Sequence, residues 1–304
     1  MNSRKVLIIS VTAGYGHHAT ALAMEKALRA RGADVTVVDI IRYVSEVLYR
    51  TVDKGYVMTT KFTPKQFGTL YRSMLSGGSM HRTLGYIIKS GFFTDKIVSL
   101  LRAETPDVVL STHVLASVLI DKSLAGGFPR LRHIGIMTDY TLHPYWEEVQ
   151  NLHNLVLCGE MVIPRAERRG LPREKLLPLG IPVEDRFLTS VPMREARVSL
   201  GLPPERPAVL IMSGSMGFGN VGATVSRIAS LRSAPQILCV CGGNKRLKLE
   251  LETMRHSTPV TVYGFADNVD VLMDAADMVV TKPGGLSTTE ALVKQKPLIL
   301  TAPI

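Results

Sequence analysis

The chain has 304 residues, enough for two domains with separate cores, and 46% are apolar, which excludes a disordered protein. Lys and Arg number 36 against 26 Asp and Glu, a formal charge of +10, so an anionic partner is expected: nucleic acid, an acidic membrane or a phosphorylated substrate. The three cysteines lack a disulfide framework and fit a reducing compartment, no apolar run is long enough to span a membrane, and a strand starting just after Met1 leaves no room for a signal peptide. A cytoplasmic protein that can sit on the membrane's inner face is therefore expected.

Residues 6–10 read as a buried strand. They enter the turn Ala13-Gly14-Tyr15-Gly16-His17-His18, followed by a helix over 19–30. Strand, glycine turn and helix together aim free N–H groups and a positive dipole end at one spot, where an anion can be held. Gly14 and Gly16 keep the backbone low, so a substrate hydroxyl can approach His17. A neutral imidazole there can take the proton of an attacking alcohol, and the helix N-terminus disfavours its cation. His18 is the second choice, and a packed or capping histidine is the competing reading. A second strand covers 35–38 and ends at Asp39.

Residues 42–96 interrupt the alternation. Aromatic Tyr43, Tyr56, Phe67 and Tyr71 interleave with Lys54, Lys61, Lys65 and Arg72, and carboxylates are few. Two readings stand: surface helices with solvated lysines, or a segment that docks on anionic lipid. Short apolar runs follow at 108–111 and 134–138. The second leads into Thr138-Asp139 and on to Trp146, a loop at a strand's carboxyl end, where α/β folds place their sites. Asp139 would orient His17, bind an acceptor hydroxyl or merely cap a turn. Trp146, the only tryptophan, would stack on a sugar or lipid, or pack. Strands at 155–158 and 176–179 complete the first set.

Pro192, Pro203, Pro204 and Pro207 mark a boundary between about 185 and 207. The expected organisation is a first domain over 1–188, a linker over 189–206 and a second domain over 207–304. Strands are expected at 209–213, 237–240, 260–263, 278–280 and 297–300, with Cys239 and Cys241 packed in the core. Glycine turns follow four of them. Ser213-Gly214-Ser215 lacks the Lys-Ser/Thr pair of a P-loop. Gly242-Gly243-Asn244 is the next, then Gly264-Phe265, whose ring can lie over a base. The last, Gly284-Gly285-Leu286-Ser287, carries Glu290 in the helix behind it. The chain stops in a strand, so the second domain is expected to be incomplete. The fold class is α/β: two Rossmann-like domains facing a cleft, one offering a base and the other holding a phosphorylated donor.

Six stretches carry a family resemblance: Gly14-Tyr15-Gly16-His17, Thr138-Asp139 through Trp146, Gly180-Ile181-Pro182-Val183, Gly242-Gly243-Asn244, Gly264-Phe265, and Lys282-Pro283-Gly284-Gly285 through Glu290-Ala291. In this order they resemble the monogalactosyldiacylglycerol synthase and processive diacylglycerol glucosyltransferase family, whose fold is of the GT-B type. The resemblance implies that His17 is the acceptor-side base, that Glu290 binds the donor ribose and that the glycine loops hold the UDP phosphates. Tyr15 departs from the glycine or asparagine often found there.

The expected reaction is inverting transfer of a hexose from UDP-glucose or UDP-galactose to diacylglycerol on an anionic membrane surface. No cofactor or obligatory metal is expected, because no Asp-x-Asp motif occurs. No nucleic-acid motif occurs either. The alternatives are another lipid-linked acceptor, such as a polyprenyl-linked sugar, and a nucleotide-binding regulatory protein without turnover.

Overall fold

The computed structural model describes residues 3–12, 15–46, 91–124, 128, 131–217 and 219–301. Gly14 and most of the basic aromatic segment lie outside these residues, and so does the reading of that segment as a lipid-docking surface. The chain divides into two units, residues 1–184 and 185–304.

In the first unit, β1 (Lys5–Ser10), β2 (Asp34–Asp39), β3 (Val108–Ser111), β4 (Arg132–Ile136), β5 (Asn154–Val156) and β6 (Leu176–Leu177) form one parallel sheet in the order β2-β1-β3-β4-β5-β6. Its helices include α1 (Gly16–Ala30), α2 (Ile40–Val44), α3 (Phe92–Glu104), α4 (Val114–Leu124) and α5 (Ile163–Arg168). β1 lies between β2 and β3, and Val6, Leu7, Ile8 and Ile9 are all buried. Successive side chains point to opposite faces, so an unbroken apolar run means that both faces are covered. The chain leaves β1 toward β2 but leaves β3 toward β4. The sequence order therefore reverses between β1 and β3, and the loops after these strands diverge. An open parallel sheet forms its crevice at this switch point.

One buried polar network in this unit has a pH consequence. His133 is fully buried on β4, with Nε2 at 3.0 Å from Ser111 Oγ, which lies 2.6 Å from Ser117 Oγ. Its Nδ1 has no partner among the described residues. Burial and the neighbouring His153 push its pKa from 6.5 down to about 3. The fold thus holds His133 neutral. That stability is fully present above pH 6.5, the ordinary value, and is lost as the pH falls from there toward 3. His133 alone should cost roughly 3 kcal/mol between pH 7 and pH 4. His133→Leu should flatten this part of the acid limb in urea unfolding; an equally steep limb in the variant would remove the assignment.

The second unit holds α6 (Met193–Ser199), β7 (Ala208–Met212), α7 (Val221–Ala229), β8 (Gln236–Val240), α8 (Lys245–Thr253), β9 (Val260–Tyr263), α9 (Val269–Ala275), β10 (Met278–Thr281), α10 (Gly285–Val293) and β11 (Leu298–Leu300). The parallel sheet order is β11-β10-β7-β8-β9, so here the switch lies between β7 and β10. Cys239 and Cys241 are fully buried in its core.

Residues 189–206, the expected linker, contain α6 and are fastened to this unit. Arg197, 5% exposed, reaches Asp277 at 2.7 Å and donates to the carbonyls of Ala275 and Pro204, both at 2.9 Å. Lys294 Nζ meets Asp274 at 2.7 Å and donates to the Thr189 carbonyl, while Asp274 accepts the Val191 N–H at 3.1 Å. Prolines mark the breaks between elements, but the anchoring contacts other than that to Pro204 come from residues 78 or more positions later and leave no local trace.

Candidate active site

The first site forms at the switch point of the first sheet. α1 begins at Gly16, three residues before the expected start, so His17 and His18 lie in its first turn. Tyr15 precedes the helix at φ 65° and ψ −30°, a conformation that costs a tyrosine about 1–3 kcal/mol. Asp39, at the end of β2, fixes the start of the turn: its carboxylate accepts the Thr12 N–H at 2.6 Å and the Thr12 hydroxyl. It also accepts the Arg42 N–H and so caps α2.

His17 Nδ1 lies 3.0 Å from the Thr112 carbonyl oxygen, just after β3, and 2.5 Å from Thr138 Oγ1, just after β4. A carbonyl oxygen only accepts, so the proton resides on Nδ1 and the lone pair on Nε2. Three strand ends thus hold one imidazole in the tautomer that a general base needs. Burial pulls its pKa below 6.5, against the opposing pull of the Asp139 carboxylate and the Thr112 carbonyl. The ring is therefore neutral at pH 7. The sequence pointed to the helix N-terminus for this effect; in the structure burial is the principal cause.

Asp139 is exposed and acts on His17 through its charge; Thr112 and Thr138 do the orienting. His18 turns toward Ser10, with Nδ1 at 3.0 Å from Oγ. Trp146 is a core residue, 3% exposed. It covers Gly135 of β4 so closely that a Cβ there would lie 2.6 Å from the indole.

Two further histidines join the cluster. His113 stands perpendicular to His17, with ring centroids 4.5 Å apart and planes at 87°. His143 caps the short helix 144–148 by accepting the Tyr145 N–H at 3.2 Å. The sequence reading missed Thr112 and His113, and named Thr138 in its loop without giving it a role. Their signal is the point where an apolar strand turns polar, Ser111-Thr112-His113 at the end of β3 and Thr138 after β4. Among the described residues no group of three His, Cys, Asp or Glu is arranged to hold a metal ion.

In the second unit the glycine turns after β7 and β8 lock together. Gly243 N–H donates to the Ser215 carbonyl at 2.7 Å, and Asn244 Nδ2 to the Gly217 carbonyl at 2.8 Å, while Asn244 Oδ1 caps α8 through the Leu247 N–H. At Gly242 (φ +57°) a Cβ would lie 2.4 Å from the Ser215 carbonyl oxygen. Gly242 and Asn244 therefore shape one loop against the other.

The turn before α10 is of a different kind. Its first helical bond is Thr288 N–H to the Gly284 carbonyl, at 3.2 Å. The N–H groups of Gly285, Leu286 and Ser287 thus precede the ladder, and no carboxylate occupies the first turn. Lys282, which directly follows β10, packs on Gly214, where a Cβ would meet its Cε at 2.8 Å. Burial lowers its pKa, and its ammonium has no carboxylate partner among the described residues. Together with Ser213, Asn220, Thr224 and Arg227 it lines a cavity of about 230 Å³ that carries two cationic side chains and no carboxylate. Phe265 is 62% exposed after β9, and Glu290 lies in the second turn of α10.

Two parallel α/β sheets, each with its polar loops gathered at a switch point, define the GT-B fold. Arabidopsis thaliana UGT89C1 complexed with quercetin shares this fold, with a TM-score of 0.60 at 15% identity over 98% of this chain and 79% of that one. The model of the monogalactosyldiacylglycerol (MGDG) synthase family matches residues 17–183, more than half of the sequence, and the chain belongs to that family. The glycosyltransferase family 28 C-terminal domain matches residues 208–302. Monogalactosyldiacylglycerol synthase 1 of Arabidopsis thaliana is 30% identical over 98% of this chain, which spans 58% of that relative's length. A processive diacylglycerol beta-glucosyltransferase of Bacillus pumilus is 25% identical, with 99% of this chain and 78% of the relative covered.

Proposed function

We propose that this chain catalyses inverting transfer of a hexose from a UDP-sugar to the free hydroxyl of diacylglycerol. The observation that carries the reading is His17, neutral, with its Nδ1 proton committed to Thr112 and its Nε2 lone pair available. The acceptor hydroxyl gives its proton to Nε2 as its oxygen bonds to the anomeric carbon. The bond from that carbon to the diphosphate breaks on the opposite face, and UDP departs with the electron pair. The protein supplies a base, an orientation and charge stabilisation, and the step needs no reactive cofactor.

On the donor side, the free N–H groups of Gly285, Leu286 and Ser287 and the Lys282 ammonium receive the diphosphate charge, with Ser213, Gly214 and Ser215 beside them. Glu290 accepts hydrogen bonds from the ribose, and Phe265 covers the base. The acceptor lies in a bilayer, so the chain works at an anionic membrane surface, on its cytoplasmic side. No helix among the described residues is long and apolar enough to cross a membrane. The two relatives' names differ in the sugar, galactose against glucose, so the test runs both donors.

The test offers labelled UDP-glucose and UDP-galactose to the protein with diacylglycerol in anionic liposomes, and separates the lipid products. Label in a monohexosyl or dihexosyl lipid supports the reading; hydrolysis alone, or no turnover with normal UDP binding, refutes it. In calorimetry, Glu290→Ala should weaken UDP by about 1.5–3 kcal/mol, the worth of hydrogen bonds to a charged group. Unchanged affinity would move the ribose contact elsewhere.

A further inference from the structure

We propose that His113 is a positioning residue for His17: its imidazole, fixed as one neutral tautomer, walls one side of the His17 ring from water and holds that ring in the plane its Thr112 and Thr138 partners require. The inference rests on the reading of His17 as the base, and it assigns work to a second imidazole that does not touch the reacting atoms.

His113 occupies the cap position of α4, where its carbonyl accepts the Ser117 N–H at 3.1 Å. Its Nδ1 accepts the Leu115 N–H at 3.1 Å. A ring nitrogen that accepts carries no proton, so the hydrogen of neutral His113 is on Nε2. Protonation would break the Leu115 bond and set a cation at a helix N-terminus, where the macrodipole opposes it. Burial and the neighbouring imidazoles of His17 and His143 act in the same direction. His113 is therefore a fixed neutral plate. The ring it stands against is held on its Nδ1 edge by two further strand ends.

Among the described residues the charged and titratable groups around the pair are few. From the loop after β4, Asp139 faces His17 and favours its cation. His143 faces His113, and His18, on the same helix as His17, is bonded to Ser10. Against Asp139, exclusion of water is what keeps His17 a free base, and the His113 ring is one wall of that enclosure. Removing the ring while keeping its cap separates the two jobs. Asparagine is a good cap with no ring; phenylalanine is a ring with no acceptor.

The experiment follows the His17 imidazole by NMR titration of the full chain labelled at histidine, with its resonance assigned by its loss in His17→Gln. In His113→Asn the His17 midpoint should rise by about one pH unit, a tenfold change in cation fraction on the steep part of the curve. In His113→Phe it should stay within about 0.3 of wild type while urea stability falls, because the Leu115 N–H loses its acceptor. The acid limb of kcat/KM for hexose transfer should move with the midpoint in the asparagine variant only. A His17 midpoint unmoved in a folded His113→Asn protein overturns the proposal, as does an equal shift in both variants. His113→Ser carries the same test if the asparagine variant does not fold. A midpoint that moves without any matching limb in the rate leaves His113 in its role and removes His17 as the base.

Discussion

Replacing His17 with alanine is expected to lower hexose transfer by about two to four orders of magnitude, the range for loss of a general base. UDP affinity should stay near wild type, since the residues proposed for the donor all lie in the other unit. The wild-type pH profile supplies the second half of the expectation. His17 acts only when neutral, and burial holds its pKa below 6.5, so kcat/KM is maintained at neutral pH and falls as the pH drops through that lowered value. The alanine variant should lose this limb with the rate. Transfer within tenfold of wild type, or an unchanged limb, would remove His17 as the base and bring Asp139 and His18 forward.

The largest expected loss of stability comes from Lys294→Met. Lys294 and Asp274 are 1% and 3% exposed at the side chain and 2.7 Å apart, so removing one partner leaves an uncompensated charge in the core. The expected cost is about 3–5 kcal/mol, a large share of a domain's stability. The double variant Lys294→Met with Asp274→Asn should recover most of it, because no buried charge remains and the asparagine oxygen can still accept the Val191 N–H. Urea unfolding of the three proteins decides. A single variant within about 1 kcal/mol of wild type, which is all that exposed pairs contribute, would show that water reaches the pair.

The strands were legible because a parallel strand covered on both faces must be an unbroken apolar run. The stretches 108–111 and 260–263 coincide with β3 and β9, and the other strand ends differ by at most two residues. The start of α1 was read three residues late. Gly16 and the two histidines are poor helix formers, and the N–H ladder that recruits them begins at the strained Tyr15. Trp146 was open between stacking and packing, and Gly135, eleven residues earlier, decides it by leaving room for the indole.

The sequence by itself determined the class of fold, the two sets of strands, the glycine turns and His17 as an imidazole at a strand end. These are local facts: period, breaker residues and the chemistry of single side chains. Only the tertiary structure decided which nitrogen of His17 bears the proton, that Thr112, Thr138 and His113 surround it, that Gly242 serves a neighbouring loop, and that residues 189–206 are fastened to the second unit. Each of these depends on where the carboxyl ends of non-consecutive strands meet. A parallel sheet brings together residues 95 and 121 positions apart through a strand order that no local pattern encodes.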